Sequence, residues 1–138
     1  MRAHREVDSS LSLEMESINA LTEQIIGAAI EVHKHLGPGL LERFYEEALC
    51  YELHKRNTAF VRQLDLPLPY KDIILDGKFR LDLVVNDMVV IELKSVEKLM
   101  PIHEAQLLTY LKITGKKIGL LLNFNEPLLK NGIRRIIN

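Results

Sequence analysis

The sequence predicts one α/β domain, with a mixed central sheet that contains an antiparallel three-strand meander and is flanked by helices. Three observations carry that expectation. Helical spacing dominates up to about residue 56, a period of two takes over from Phe60 to Lys94, and a continuous apolar run, 118–124, follows one further helical segment. At 138 residues the chain can build one core, with little left for a second. Hydrophobic residues make up 47% and charged residues 27%, the balance of an ordinary globular protein and not of a disordered one. We therefore expect an N-terminal arm over residues 1–17 and a single domain over 18–138.

The elements follow in order. Residues 1–17 hold few strong apolar positions and read as a mobile arm or a weak first helix. Thr22 can cap a helix in which Ile26, Ala29, Ile30 and His33 recur at helical spacing until Gly37, so a helix is predicted over 22–36. Gly37-Pro38-Gly39 turns the chain sharply, because proline cannot continue the helix and glycine admits positive φ. A second helix is predicted over 41–56. Four β-rich segments follow, at 60–66, 68–75, 78–85 and 88–94, with Asp76-Gly77 as a strong hairpin signal and Asn86-Asp87 as a weaker one. Pro101 opens a third helix that Gly115 ends. The run 118–124 reads as a strand buried on both faces, beside the strand that holds Glu92 after a helical crossover. Residues 133–137 form either a short edge strand or a helical turn.

Composition also excludes function classes. Apolar runs such as 88–91 and 118–122 are far too short to cross a bilayer, and the first ten residues lack the apolar stretch of a secretory signal, so a cytoplasmic protein without membrane contact is expected. Cys50 is the only cysteine, which rules out an intrachain disulfide and a cysteine-based zinc site. The net charge of −1 argues against coating nucleic acid by bulk attraction. Charge is uneven, however: residues 1–61 carry 6 Lys or Arg against 10 Asp or Glu, and residues 62–138 carry 12 against 9. The basic half suits a phosphate ligand, as it suits any solvated surface.

The chemistry concentrates in two neighbouring strands. Asp82 lies among Leu81, Leu83, Val84 and Val85, where burying a carboxylate is costly unless something compensates. Glu92 and Lys94 alternate with Leu93 and so share one face of the next strand. A hairpin centred on Asn86-Asp87 brings Asp82 near Ile91 and Glu92, so two carboxylates converge with a lysine beside them. A divalent cation, Mg²⁺ or Mn²⁺, would relieve their repulsion and use the same oxygens as ligands. The ordinary alternative is a structural salt bridge between Lys94 and the acids.

An acid in an apolar strand, a turn, then Glu-x-Lys resembles the PD-(D/E)xK nuclease superfamily, with Asp82 as the acid and Glu92-Leu93-Lys94 as the E-x-K element. The chain is similar, more narrowly, to the group named for its GxxExxY motif, here Gly39-Leu40-Leu41-Glu42-Arg43-Phe44-Tyr45. The likeness runs over residues 21–137, and His103-Glu104-Ala105-Gln106 also fits it, with Gln106 at the glutamine position after E-x-K. The resemblance implies a restriction-endonuclease-like core and metal-dependent cleavage of DNA or RNA. It implies that Asp82, Glu92 and the Leu93 carbonyl hold the cation, that Lys94 acts on the attacking water, and that Glu42 and Gln106 assist. Tyr45 and His103 are the substrate-contact candidates.

The residues speak to these roles separately. Glu42, Tyr45 and Leu49 share a helical stripe, which points Glu42 inward toward Lys94 or a cation; alternatively its charge simply favours the helix N-terminus. Gln106 shares a face with His103 and Tyr110 and can turn to the sheet edge or to solvent. His33 and His35 lie on different helix faces and cannot form a zinc pair. Thr114-Gly115-Lys116-Lys117 lacks the remaining positions of a phosphate loop. The competing function is a non-catalytic module that holds nucleic acid or a protein partner on the same fold. A chain this small also invites a homodimer or a protein partner.

Overall fold

The computed structural model describes the backbone of residues 2–138 and the side chains from Ser10 onward. Met1 and the side chains before Ser10 lie outside the described residues. A five-stranded sheet in the order β1-β2-β3-β4-β5 carries two helices on one face and one on the other.

Helix α1 spans Arg2–Leu36. It absorbs the segment read as an arm or weak first helix, because an apolar stripe of Ile18, Leu21, Ile25, Ala28 and Val32 continues three and four residues apart into the core. Thr22 is therefore no N-cap. Buried in mid-helix, it donates its hydroxyl to the Asn19 carbonyl at 2.9 Å. Helix α2, Glu42–Lys55, packs Tyr45, Leu49 and Leu53 against α1 and the sheet.

Strands β1 (Phe60–Tyr70) and β2 (Ile73–Val85) form one long antiparallel hairpin. No separate strand occupies 68–75, and Asp76-Gly77 is not the turn. The chain reverses instead at Lys71-Asp72, with Lys71 at φ 52°. Pro67 pairs with Lys78 but Pro69 with Ile74, so β2 carries two extra residues at this point. Gly77, at φ 116°, takes up the irregularity. The Asp-Gly signal was spent on a bulge, opposite a stretch where two prolines offer no N–H to the ladder.

Strand β3, Val89–Lys94, returns antiparallel to β2 after Asn86 and Asp87, both at positive φ, with the Met88 N–H on the Val85 carbonyl at 3.0 Å. Helix α3, Pro101–Thr114, starts on its proline and ends on Gly115 in the left-handed region. It crosses over to β4, Ile118–Asn123, which is buried throughout and lies parallel to β3. After a 3-10 turn at Leu129–Gly132, β5 (Ile133–Ile137) closes the sheet antiparallel to β4. Of the two readings of 133–137, the edge strand is the one formed, and the helical turn lies just before it. This mixed sheet, with the β1-β2-β3 meander and flanking helices, is a restriction-endonuclease-like arrangement.

The larger core joins α1 and α2 to Leu83, Val85, Val89, Ile91, Leu93 and alternate residues of β4. The smaller one lies under α3, between Leu107 and Leu111 and Leu81, Val84, Val90 and Leu121. Among the described residues no helix is long and apolar enough to cross a membrane.

Candidate active site

Strict alternation on β3 sends Ile91 and Leu93 into the larger core and turns Glu92 and Lys94 to the face that carries α3. On β2 the alternation breaks. Leu81 and Leu83 are two apart yet belong to opposite cores, so the strand is kinked at Asp82. The regular β2–β3 pairing runs only as far as Leu83 with Ile91, and beyond it side chains replace the ladder. The Asp82 N–H donates to Glu92 Oε1 at 3.3 Å, and the Leu93 N–H donates to Asp82 Oδ2 at 2.9 Å. Each acid thus accepts from the backbone of the other's strand.

Electrostatics follows from this geometry. Glu92 is 7% exposed. Burial, and then the Asp82 charge, push its carboxyl up to about 8. Burial also raises Asp82, helped by the charges of Glu46 and Glu42, while the Leu93 N–H and Lys94 pull it down. Lys94 is half-buried and its charge reaches both acids. Among the described residues, though, no salt bridge within 4 Å pairs it with either. The structural salt bridge weighed from the sequence is therefore not formed, and among the described residues no cationic side chain is in salt-bridge contact with the two crowded carboxyl groups.

That donor set fits a divalent cation, which would neutralise the pair through hard oxygen ligands. No group of three or more His, Cys, Asp or Glu side chains converges at ligand spacing among the described residues. A cation here would rest on Asp82 and Glu92, with backbone oxygen and water completing its shell. Leu93 contributes its N–H to Asp82 and its side chain to the larger core.

The remaining candidates are distributed around this pair. Glu42 opens α2 at the end of β3, but it is exposed and its Oε1 accepts from the Ser95 N–H at 3.3 Å, so its contact is with the backbone after Lys94 and not with the lysine itself. Tyr45 is fully buried and stacks on Phe124 with centroids 4.6 Å apart. Its hydroxyl donates to the Gly37 carbonyl at 2.6 Å and accepts from the Leu40 N–H at 3.0 Å. Neither face nor hydroxyl is left for a substrate, so Tyr45 braces the glycine turn. His103 Nδ1 accepts from the Met100 N–H at 2.9 Å, which makes it a cap of α3. Gln106 is exposed and donates to the Tyr110 hydroxyl at 2.9 Å.

Tyr110 and Glu46 were missed as site residues. Tyr110 stacks on Phe79 at 5.2 Å, and burial followed by the Glu92 and Asp82 charges raises its hydroxyl. Its hydroxyl accepts from Gln106 and lies within reach of the acid pair's charge, and the i, i+4 spacing of Gln106 and Tyr110 was the available signal. Glu46 is 6% exposed and accepts from Arg62 Nε at 2.7 Å and Gln63 Nε2 at 2.5 Å. The available signal was helical spacing: Glu46, unlike Glu47, stands three, four and seven residues before the buried Leu49, Cys50 and Leu53.

Comparison with known proteins bears on this arrangement at the level of the family. No curated protein and no solved structure matches the chain. The model of the PD-(D/E)XK nuclease superfamily matches residues 19–136, a span that includes α2, the kinked β2, the Glu92-Leu93-Lys94 strand and α3. With that match over most of its length, and with an acid and a Glu-x-Lys element brought together on adjacent strands, the chain belongs to the PD-(D/E)XK nuclease superfamily.

Proposed function

We propose that the protein is a metal-dependent nuclease that hydrolyses phosphodiester bonds of DNA or RNA, with Asp82, Glu92 and Lys94 at its centre. The observation that carries this reading is the reciprocal contact between the Asp82 and Glu92 carboxyl groups and each other's strands, with no cationic side chain in salt-bridge contact among the described residues. Within the superfamily, the segment from Gly39 to Tyr45 favours the GxxExxY group.

Asp82 and Glu92 would hold Mg²⁺ or Mn²⁺, which supplies Lewis-acid contact to a phosphoryl oxygen and acidifies bound water. Lys94 orients the attacking water and stabilises negative charge that develops at phosphorus. Gln106, steadied by Tyr110, offers its free carbonyl oxygen to that water. Glu42 and Ser95 fix the end of β3 against α2, and so fix the reach of Lys94. Family membership supports nucleic acid as the substrate class.

The test incubates purified protein with single- and double-stranded DNA and RNA in Mg²⁺, in Mn²⁺ and in chelator, beside Asp82→Ala and Lys94→Ala. Chelator-sensitive cutting by the unaltered protein, lost in both variants, is the expected result. Retention of nucleic acid without cutting under any condition would replace the enzyme by a binding module. Cutting that survives in both variants would remove these residues from the centre.

A further inference from the structure

The β1–β2 ladder is interrupted beside the place where Asp82 meets Glu92. Arg62 pairs with Leu83 and Leu64 with Leu81, but the register passes over Gln63 and Asp82 between them. Gln63 stands at φ 54°, in the left-handed region that a residue with a side chain seldom adopts. Something must hold it there. Its amide donates to Glu46 Oε1 at 2.5 Å, and the same carboxylate takes Arg62 Nε on its other oxygen at 2.7 Å. Arg80 Nη1 lies 3.4 Å from the Gln63 carbonyl oxygen and steadies the amide from its other side. Two successive residues of β1 are therefore pinned to one buried acid of α2, and at the second of them the backbone leaves the extended conformation of the strand.

We propose that Glu46 is a positioning residue for the candidate site: it holds Gln63 in the left-handed conformation, which keeps β1 from pairing with Asp82 and leaves the Asp82 backbone free to meet Glu92. Glu46 need touch neither substrate nor cation. Its effect passes through Gln63 to the kink in β2, and the kink sends the Asp82 carboxylate to Leu93 while its N–H reaches Glu92. The proposal rests on the nuclease reading only for the purpose of the Asp82–Glu92 pair, not for how the pair is arranged.

Alanine and glycine at position 63 separate conformation from contact. Both delete the amide that Glu46 holds, but only glycine enters positive φ without strain. The full-length chain is titrated with Mn²⁺ alone, and the amide exchange of Asp82 is followed in parallel. Gln63→Ala and Glu46→Ala should each weaken Mn²⁺ binding by about tenfold, the scale of one strained left-handed residue. Gln63→Gly, alone or combined with Glu46→Ala, should remain within about threefold of the unaltered protein. Equal binding by the alanine and glycine variants, or undiminished binding by Glu46→Ala, overturns the proposal. If Glu46→Ala does not fold, the two substitutions at position 63 decide. If the unaltered protein takes up no Mn²⁺, the metal reading fails and Asp82 exchange decides: slower exchange in Gln63→Ala than in Gln63→Gly, because β1 then pairs with Asp82, upholds the positioning role, and equal or faster exchange ends it.

Discussion

Glu46 and Glu92 are buried to nearly the same degree, 6% and 7% exposed, and the fold treats them in opposite ways. Glu46 receives a guanidinium and a carboxamide, so its charge is answered where it sits. Glu92 faces a second carboxyl group and a lysine that stays out of salt-bridge range, so its charge would go unanswered and the carboxyl keeps its proton up to about pH 8. A fold optimised for stability alone would not place two acids so, because uncompensated buried charge destabilises the native state. The difference separates an acid whose charge the fold answers from one whose charge it leaves unpaired.

The largest effect expected from this contrast is on cation binding and cleavage. Glu92→Gln or Asp82→Asn should lower metal-dependent cleavage by more than about a thousandfold, the upper range for removing one charged group from a preorganised site. Glu46→Gln, equally buried and equally isosteric, should lower it by no more than about tenfold. Cleavage and Mn²⁺ titrations on the three variants check this. Equal losses at Glu46 and Glu92 would erase the distinction.

The next effect is on stability, and its sign differs between the two acids. Glu92 stands at about 8 in the folded protein against its ordinary 4.5. Between those values the native state keeps a proton that the unfolded chain has released, so metal-free stability falls as pH rises through the window, by an amount on the order of a few kcal/mol. Asp82, raised in the same direction, adds to the slope. Glu92→Gln removes most of it and should make the metal-free protein more stable than the unaltered one above about pH 8. Saturating Mn²⁺ should restore the unaltered protein at that pH and leave the variant unmoved. Glu46→Ala should instead destabilise, by about 1–3 kcal/mol, since it strands the donors of Arg62 and Gln63. Part of that loss is returned by water, because the Arg62 side chain is 41% exposed. Urea denaturation across the pH range, with and without Mn²⁺, reads both signs.

The same contrast explains how far the sequence could be read. The Asp82, Glu92 and Lys94 cluster was legible because its parts are local: alternation sets the faces of β3, and a two-residue turn folds it back onto β2. The α3 stop at Gly115 and the buried β4 run were legible for the same reason. The Ile18, Leu21 and Ile25 stripe was present too, but the polar residues before it hid the continuity of α1. Asp76-Gly77 was misread because a flexible dipeptide serves a bulge as readily as a turn, and only pairing across the hairpin distinguishes them. The partners of Glu46 and the left-handed Gln63 depend on β1 meeting α2, a contact that no spacing within either segment encodes. The Asp82–Glu92 contact could be found from neighbours in sequence, whereas its supports could be found only from neighbours in space.

The smallest effect concerns Tyr45, whose polar group, like that of Glu46, is fully consumed by partners. Tyr45→Phe keeps the stack on Phe124 and removes a hydroxyl that bridges the Gly37 carbonyl and the Leu40 N–H. One buried bridge of this kind contributes about 1 kcal/mol. Its loss should be felt at the candidate site only indirectly, because the Leu40 carbonyl holds the Ser95 hydroxyl at 2.6 Å and the Ser95 N–H meets Glu42. A looser turn would then let the end of β3, and Lys94 with it, wander from the acid pair. Thermal denaturation should therefore show a modest drop, and cleavage should fall by about threefold, far short of what removal of a reacting group causes. A loss as deep as that of Lys94→Ala would mean that the hydroxyl meets the substrate after all, which would require the Gly37–Leu40 turn to open and expose a side chain now wholly enclosed.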